Sequence, residues 1–481
     1  KLLVPRSLLD EGALGFWERR LLDALPGDCF HWLDVDEDRA TVDLDFYRAT
    51  GPANELRGML REVLASGRSL DEVEILFSDE CCYLPLLFER SLSLADDDGS
   101  SLFPLTFAGG VPCAYGRPGR LLRAWASWLA EDCQQSELVA MISEGLLALP
   151  ESVGADVSFG RLSMALRGLP IVCGVSRYVP AIEKALAAAR RRLVRYEGMH
   201  FEEDDEGKER VRHCRAKVSL LEALLGVVGP LVSLSSGVDD VALGQGALSL
   251  LGELALVDGH YDELARERLV KGVSEYLDLL AGGGVATVSI LDWLQELPSA
   301  VRMDDSGPRP GCVHVAGFGE GGHSGRPLTF ILGLDDGRFP WRVGQNPILL
   351  DDERRALSED LALAEGRVGQ QLREWELLLA RLRGRCVLSY SCMDVADGRE
   401  MFPSSVYVEA CQQAGVGASS SGLAGFEAND ISLHSFAPSD GASCVALTDW
   451  WLQQVCSLGR GEDLAAVVGE YYGCLGRGMK A

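Results

Sequence analysis

The stretch Val313–Leu357, VHVAGFGEGGHSGRPLTFILGLDDGRFPWRVGQNPILLDDERRAL, decides how the chain is read. It holds two short apolar runs, Val313–Ala316 and Thr329–Leu334, punctuated by glycine and proline as buried strands are. An amphipathic helix over Glu365–Arg383 and a further strand in RCVLSYS follow, so the pattern is α/β. Gly333 and Gly337 are expected to let the chain turn sharply at the carboxyl edge of the sheet, where ligands of open α/β sheets bind. Glu320 falls on the loop before the second strand.

Upstream, Asn54–Ser78 gives a helix, a stop at Gly67 and a strand at Val73–Phe77, which is another α/β unit. A proline-bounded strand is expected at Leu102–Phe107. In RPGRLLRAWASWLAED, Leu121, Leu122, Trp125, Trp128 and Leu129 share one helical face, which makes the tryptophans core residues rather than stacking platforms. Residues from about 120 to 300 have helical periods, in Ala181–Tyr196, Val211–Val228 and Gln245–Leu280. The biased run FEEDDEGKER at Phe201–Arg210 follows Arg190, Arg191, Arg192 and Arg195, and reads as a solvated helix end and loop. Beyond Asp394, serine- and glycine-rich stretches such as GVGASSSGLAG at Gly415–Gly425 read as linker.

The bulk numbers set limits. A chain of 481 residues is too long for one ordinary core and calls for several domains. No stretch reaches the ~18 uninterrupted apolar residues of a membrane span, and the first residues carry no cleavage site, so a cytoplasmic protein without membrane contact is expected. It opens on KLLVPRSLL without Met, which suggests that an N-terminal part is absent. Fourteen cysteines stand at irregular spacing without a C-x-x-C, and seven histidines without H-E-x-x-H, so reduced thiols and no zinc site are expected. A net charge of −27 opposes a nucleic-acid coat, because phosphate contacts need clustered cations; a protein threading DNA through an internal channel can still be acidic outside.

Three motif scans come out against catalysis. Gly317–Gly322 spells G-x-G-x-x-G, but only five residues separate it from the next strand near Leu328, too few for the helical crossover of a dinucleotide fold. None of the six lysines follows a glycine and precedes Ser or Thr, so there is no lysine-bearing phosphate loop. Glu206-Gly207-Lys208 matches the E-x-K of metal-dependent nucleases by letter alone, with no strand-like residues around it.

Several blocks together resemble a known family. Gly333, Leu334, Asp335, Asp336, Gly337, Phe339 and Pro340, then Leu349, Leu350, Asp351, Glu353 and Arg354, resemble the segment around motif V of UvrD-like superfamily 1 helicases, as it stands in AddB-type helicase-nuclease subunits. GPANELRGMLREVLASGRSLDEVEILFSD resembles the motif IV region, with Asn54 and Glu55 opening the helix. PLTFAGGVPCAYGRPGR resembles the next family segment. LSYSCMDVADGREMFPSSVYVEA resembles the one after motif VI, with Ser389, Tyr390, Asp394, Gly398, Pro403 and Ser404 in place. The chain departs from active helicases where Ala380-Arg381-Leu382-Arg383 replaces T-R-A-R, and where His323-Ser324-Gly325-Arg326 lacks the lysine and acid of motif V.

The resemblance implies a RecA-like, mostly parallel sheet of P-loop NTPase type, built from discontinuous segments with a large inserted helical subdomain. The implied division is 1–120 and 311–395 for the two parts of the RecA-like domain, 121–310 for the insertion and 396–481 for a linker toward an absent nuclease domain. It implies DNA end processing in double-strand break repair, with single-stranded DNA and an AddA-like helicase-nuclease subunit as partners. This segment has no cofactor of its own, magnesium and the partner's ATP belonging to the intact family, and is expected to be inactive alone. Gly333, Asp335, Gly337 and Pro340 would frame a DNA-facing loop; Arg117, Arg120, Arg342 and Arg381 would contact phosphates. The competing expectation is a scaffold that binds the partner subunit and never touches DNA.

Overall fold

The computed structural model describes residues 42–93, 104–150, 157–198, 205–235, 239–284, 288–341, 344–358 and 363–416, with shorter pieces at 2–5, 16–26, 29–33, 237, 361, 432–434, 437–438, 444, 447–457 and 466. They divide into two compact units, Lys1–Gly109 with Ser306–Ala481, and Gly110–Asp305.

The first unit is built on β1 (Asp43–Ala49), β2 (Val73–Phe77), β3 (Leu105–Phe107), β4 (Val313–Gly317), β5 (Leu328–Leu332) and β6 (Arg385–Ser391). All pair in parallel, in the order β1-β6-β5-β2-β4-β3, and the short β7 (Ser432–His434) continues the sheet beside β1, also in parallel. The fold is thus mixed α/β with a parallel central sheet, and the strands read at Val73, Val313, Thr329 and Cys386 lie in that one sheet. Strands β2 and β5 are buried along their whole length, as strands covered on both faces must be, which is why VEILF and LTFIL show no alternation. The order interleaves the two segments: every neighbour of β1, β2 and β3 comes from beyond Ser306.

Helices α1 (Pro52–Ala65), α2 (Glu80–Ser93), α3 (Ala364–Arg381) and α4 (Ser405–Gln413) belong to the same unit. Pro52 opens α1 where its missing N–H has no partner to lose, and Leu56, Met59, Leu60 and Val63 are buried. A core of Leu76, Ile331, Leu334, Phe339, Trp375, Leu378, Leu388 and Tyr407 joins α3 and α4 to the sheet.

Gly110–Asp305 is mostly helical. In Arg117–Ala130 both tryptophans are buried and hydrogen bonded, Trp125 Nε1 to Ser235 Oγ at 3.0 Å and Trp128 Nε1 to the Gln134 carbonyl at 3.1 Å. They are core, as their spacing suggested. The single helix expected over Gln245–Leu280 is two, Asp240–Ser249 and His260–Ala281, parted by a π-helical turn and by Gly259 at φ 95°. One helix bears on the span expectation. Gly207–Leu234 is long and apolar enough to cross a membrane by length and composition. Its Leu221, Leu224, Val228 and Leu231 are buried within the unit, and 39% of the apolar window is buried in all. Glu206 and Lys208 lie at the start of that same helix, Asp205–Leu234, and not on a strand.

Candidate functional site at the carboxyl edge of the sheet

Parallel strands present their carboxyl ends together, so loops that follow β1, β2, β5 and β6 must share one edge. Glu55, in the first turn of α1, points into it and is fully buried. Its carboxylate accepts from the Tyr83 hydroxyl at 2.6 Å, the Ser389 hydroxyl at 2.6 Å and the Gly333 N–H at 2.9 Å. Tyr47 donates to the Glu55 carbonyl at 3.0 Å. Burial pushes the Glu55 carboxyl above the usual range, while the Ser389, Tyr83 and Gly333 donors pull it back. The same burial, with Glu55 beside it, holds the Tyr83 phenol well above its ordinary value.

Gly333 sits at φ +82°. A Cβ there would meet Ser78 Oγ at 2.5 Å and Tyr83 Cε2 at 2.6 Å, so only glycine fits. Ser78 donates back to the Gly333 carbonyl at 2.6 Å, and Leu334 and Ser389 join backbones at 3.0 Å. The expected strand Thr329–Leu334 therefore ends at Leu332, because the left-handed turn begins one residue later.

Asp335 is completely buried and pairs with Arg338, while its Oδ1 accepts the Gly337 N–H at 3.2 Å. Burial raises its carboxyl and Arg338 opposes the rise. Asp335 thus holds the turn from the inside and presents no charge to solvent. Gly337 differs from the expectation: its φ is not left-handed, and its role is space, since a Cβ would meet the Met401 methyl at 2.6 Å. Pro340 follows Phe339 through a cis peptide.

The opposite end of the sheet has its own buried acid. Glu74 of β2 accepts from the Ser324 hydroxyl at 2.7 Å and the Gly322 N–H at 3.2 Å. Arg326 sends Nη1 to the carbonyls of Val73 at 2.6 Å and Cys312 at 2.7 Å. Arg381 closes α3 here, half-buried, with its Nε unbonded and its basicity lowered by burial. His323 is lowered by burial and by Arg381.

The structure thus brings Gly333, Asp335, Gly337 and Pro340 together and separates them from Arg381 by the length of the strands. Arg117 is engaged elsewhere, its N–H and Nη1 on Asp262 at 2.8 and 3.1 Å and Nη1 on Asp258 at 3.2 Å. Arg120 lies 3.8 Å from Glu144, both exposed. Arg342 is outside the described residues. Sequence reading named Glu55 only as a helix opener and passed over Glu74, Tyr83 and Gln371. The available signal was a polar residue in a core position: Glu55 falls in the stripe of Met59 and Val63, and Gln371 in that of Trp375, Leu378 and Leu382. Among the described residues no group of three or more His, Cys, Asp or Glu could hold a metal ion. No protein-family model and no curated protein matches the chain.

Proposed function

We propose that this chain is the helicase-like, DNA-binding part of an AddB-type subunit, RecA-like in its sheet, with its helical segment as the inserted subdomain. In this reading it processes DNA ends for recombinational repair in the cytoplasm, beside an AddA-like partner that supplies ATP hydrolysis. The observation that carries the reading is the meeting of three sequence blocks at one carboxylate. Glu55 of the motif IV block binds Gly333 of the motif V block and Ser389 from the strand after motif VI, residues 278 and 334 positions away. A parallel sheet gathers its carboxyl-end loops in any case; the support lies in the three resembling blocks supplying the acceptor and the donors of one buried carboxylate.

Arg381, half-buried at the end of α3, is the cation this reading places on phosphate. The test is binding of labelled single-stranded oligonucleotide across a salt series. The reading expects log K to fall with log salt, a weaker complex for Arg381→Ala, and no ATP turnover. The scaffold reading draws on the net charge of −27 and on the pairing of Arg117 with Asp258 and Asp262. It expects no DNA binding at any salt concentration, and that result would overturn our proposal.

A further inference from the structure

Two large aromatic side chains stand out of the protein at the carboxyl edge, Trp341 at 51% exposure and Phe402 at 44%. Exposed aromatics are ordinary when mobile; these two are held. The Trp341 N–H donates to Gln371 Oε1 at 2.6 Å, and Gln371 Nε2 donates to the Trp341 carbonyl at 3.4 Å. Gln371 itself is buried on α3, a polar side chain in an apolar stripe whose bonds go to this one residue. Phe402 is tied in the same two-point manner: its carbonyl accepts the Asp336 N–H at 2.9 Å and its N–H donates to Asp336 Oδ1 at 3.3 Å. Both backbones are thus fixed while both rings remain in water. Trp341 also extends a buried ring cluster, its centroid 6.5 Å from Phe339, which lies 5.9 Å from Trp375.

Trp341 and Phe402 both line one recess of about 510 Å³, together with Gly337, Met401, Asp336, Arg399 and Glu400. Its size is that of a small-ligand site. The charge at its rim discriminates between guests. Arg399 repels a cation, Glu400 repels an anion, and one oxygen of Asp336 is already held by the Phe402 N–H. A neutral flat ring fits, with its charged linkage passing on the Arg399 side.

We propose that Trp341 and Phe402 form a preorganised clamp for one unpaired nucleobase of a single strand. The proposal rests on the DNA-binding reading above and gives it a place. Fixing the two backbones in advance removes the part of the ordering cost that a mobile loop carries on binding. Stacking on an aromatic face tolerates any base, so the clamp holds a strand without reading its sequence.

The experiment is fluorescence anisotropy of labelled oligo(dT) with the full chain and with Trp341→Ala, Trp341→Phe, Phe402→Ala and Arg381→Ala. We expect Trp341→Ala to weaken binding roughly five- to a hundred-fold, Phe402→Ala by a similar or smaller factor, and Trp341→Phe to restore most of it. Both residues are solvent-exposed, so an unchanged melting temperature should accompany the loss. Wild-type affinity in both alanine variants, with a loss in Arg381→Ala, overturns the clamp and leaves the DNA-binding reading standing. No binding by the wild-type chain overturns both. Trp341-dependent binding of an arginine-rich peptide in place of oligo(dT) assigns the clamp to a basic protein partner and overturns it as a base site.

Discussion

The two ends of the sheet each bury one glutamate, and they hold it differently. Glu55, at the carboxyl edge, receives only neutral donors: two hydroxyls and one backbone N–H. Glu74, toward the amino ends, receives one hydroxyl and one N–H, with the guanidinium groups of Arg326 and Arg381 acting on it through space. A buried acid among neutral donors is stabilised as a hydrogen-bond acceptor and remains costly as a charge. One placed among cations is stabilised as a charge. The carboxyl edge is therefore the end whose integrity depends on hydrogen-bond geometry, and the amino end the one that depends on charge balance.

Replacing Glu55 by alanine is the strongest way to break this comparison. It strands the Tyr83 hydroxyl and the Gly333 N–H in a dry site, while the Ser389 hydroxyl keeps the Ile331 carbonyl; at about 1–3 kcal/mol for each orphaned buried group the first unit should lose at least about 2 kcal/mol. Urea denaturation measures it, and a loss below that of Glu74→Ala would refute the ranking. Glu55→Gln should cost far less, because its oxygen still accepts from Gly333 and Ser389 while its amide donates to the Tyr83 oxygen.

Gly333→Ala comes next. The left-handed φ costs a non-glycine residue about 1–3 kcal/mol, and the Cβ contacts with Ser78 and Tyr83 force a shift as well. Gly337→Ala should cost less, since its φ is not left-handed and the Cβ meets the flexible end of Met401, with Asp335 Oδ1 a tight 3.3 Å away. Equal melting temperatures for the two variants would refute the assignment of different roles to these glycines.

A pH series sharpens the contrast. Glu55 has a folded-state carboxyl raised above the ordinary 4.5, so its contribution is present below that value and is lost as pH rises through the raised one. Asp335 is raised too and acts in the same direction. Glu55→Gln removes the first of these terms. Its stability relative to wild type should improve as pH rises from about 4.5 to the raised value and level off above it, and a constant difference across the series would contradict a raised Glu55.

The smallest effect belongs to His314 on β4. Burial lowers its ring to about 4, with Thr106 Oγ1 2.9 Å from Nδ1. Its imidazole resonances should stay in place between pH 8 and 5, and a titration near 6.5 would show that the strand is looser than described.

How much of this was legible follows from which residues speak locally. VEILF, LTFIL and RCVLSYS announce strands by being apolar without interruption, and Gly333 announces a turn by standing where a strand stops. These are near-neighbour signals. Glu55 gives none of that kind, because what makes it central is that Tyr83, Gly333 and Ser389 arrive from three other places in the chain. Arg117 shows the same limit: beside Pro118 and Gly119 it gives no local sign of its pairing with Asp258 and Asp262, far along the chain. Gln371 reads as one polar residue on an amphipathic helix until the Trp341 backbone is seen across from it.

The interleaved strand order has a consequence in time. Ser78 and Gly333 bond across 255 positions, and none of β1, β2 and β3 has a sheet neighbour within its own segment. At about 5–20 residues per second of synthesis, the first three strands wait on the order of ten to fifty seconds for their partners to emerge. Throughout that interval their edges are unpaired and their apolar faces uncovered, the state in which strands seek other chains. The helical unit waits only for its own last helix, Ile290–Ala300, which packs on Arg117–Ala130, and is complete before β4 emerges. On the ribosome, the part of the gene translated first is the part of the molecule completed last.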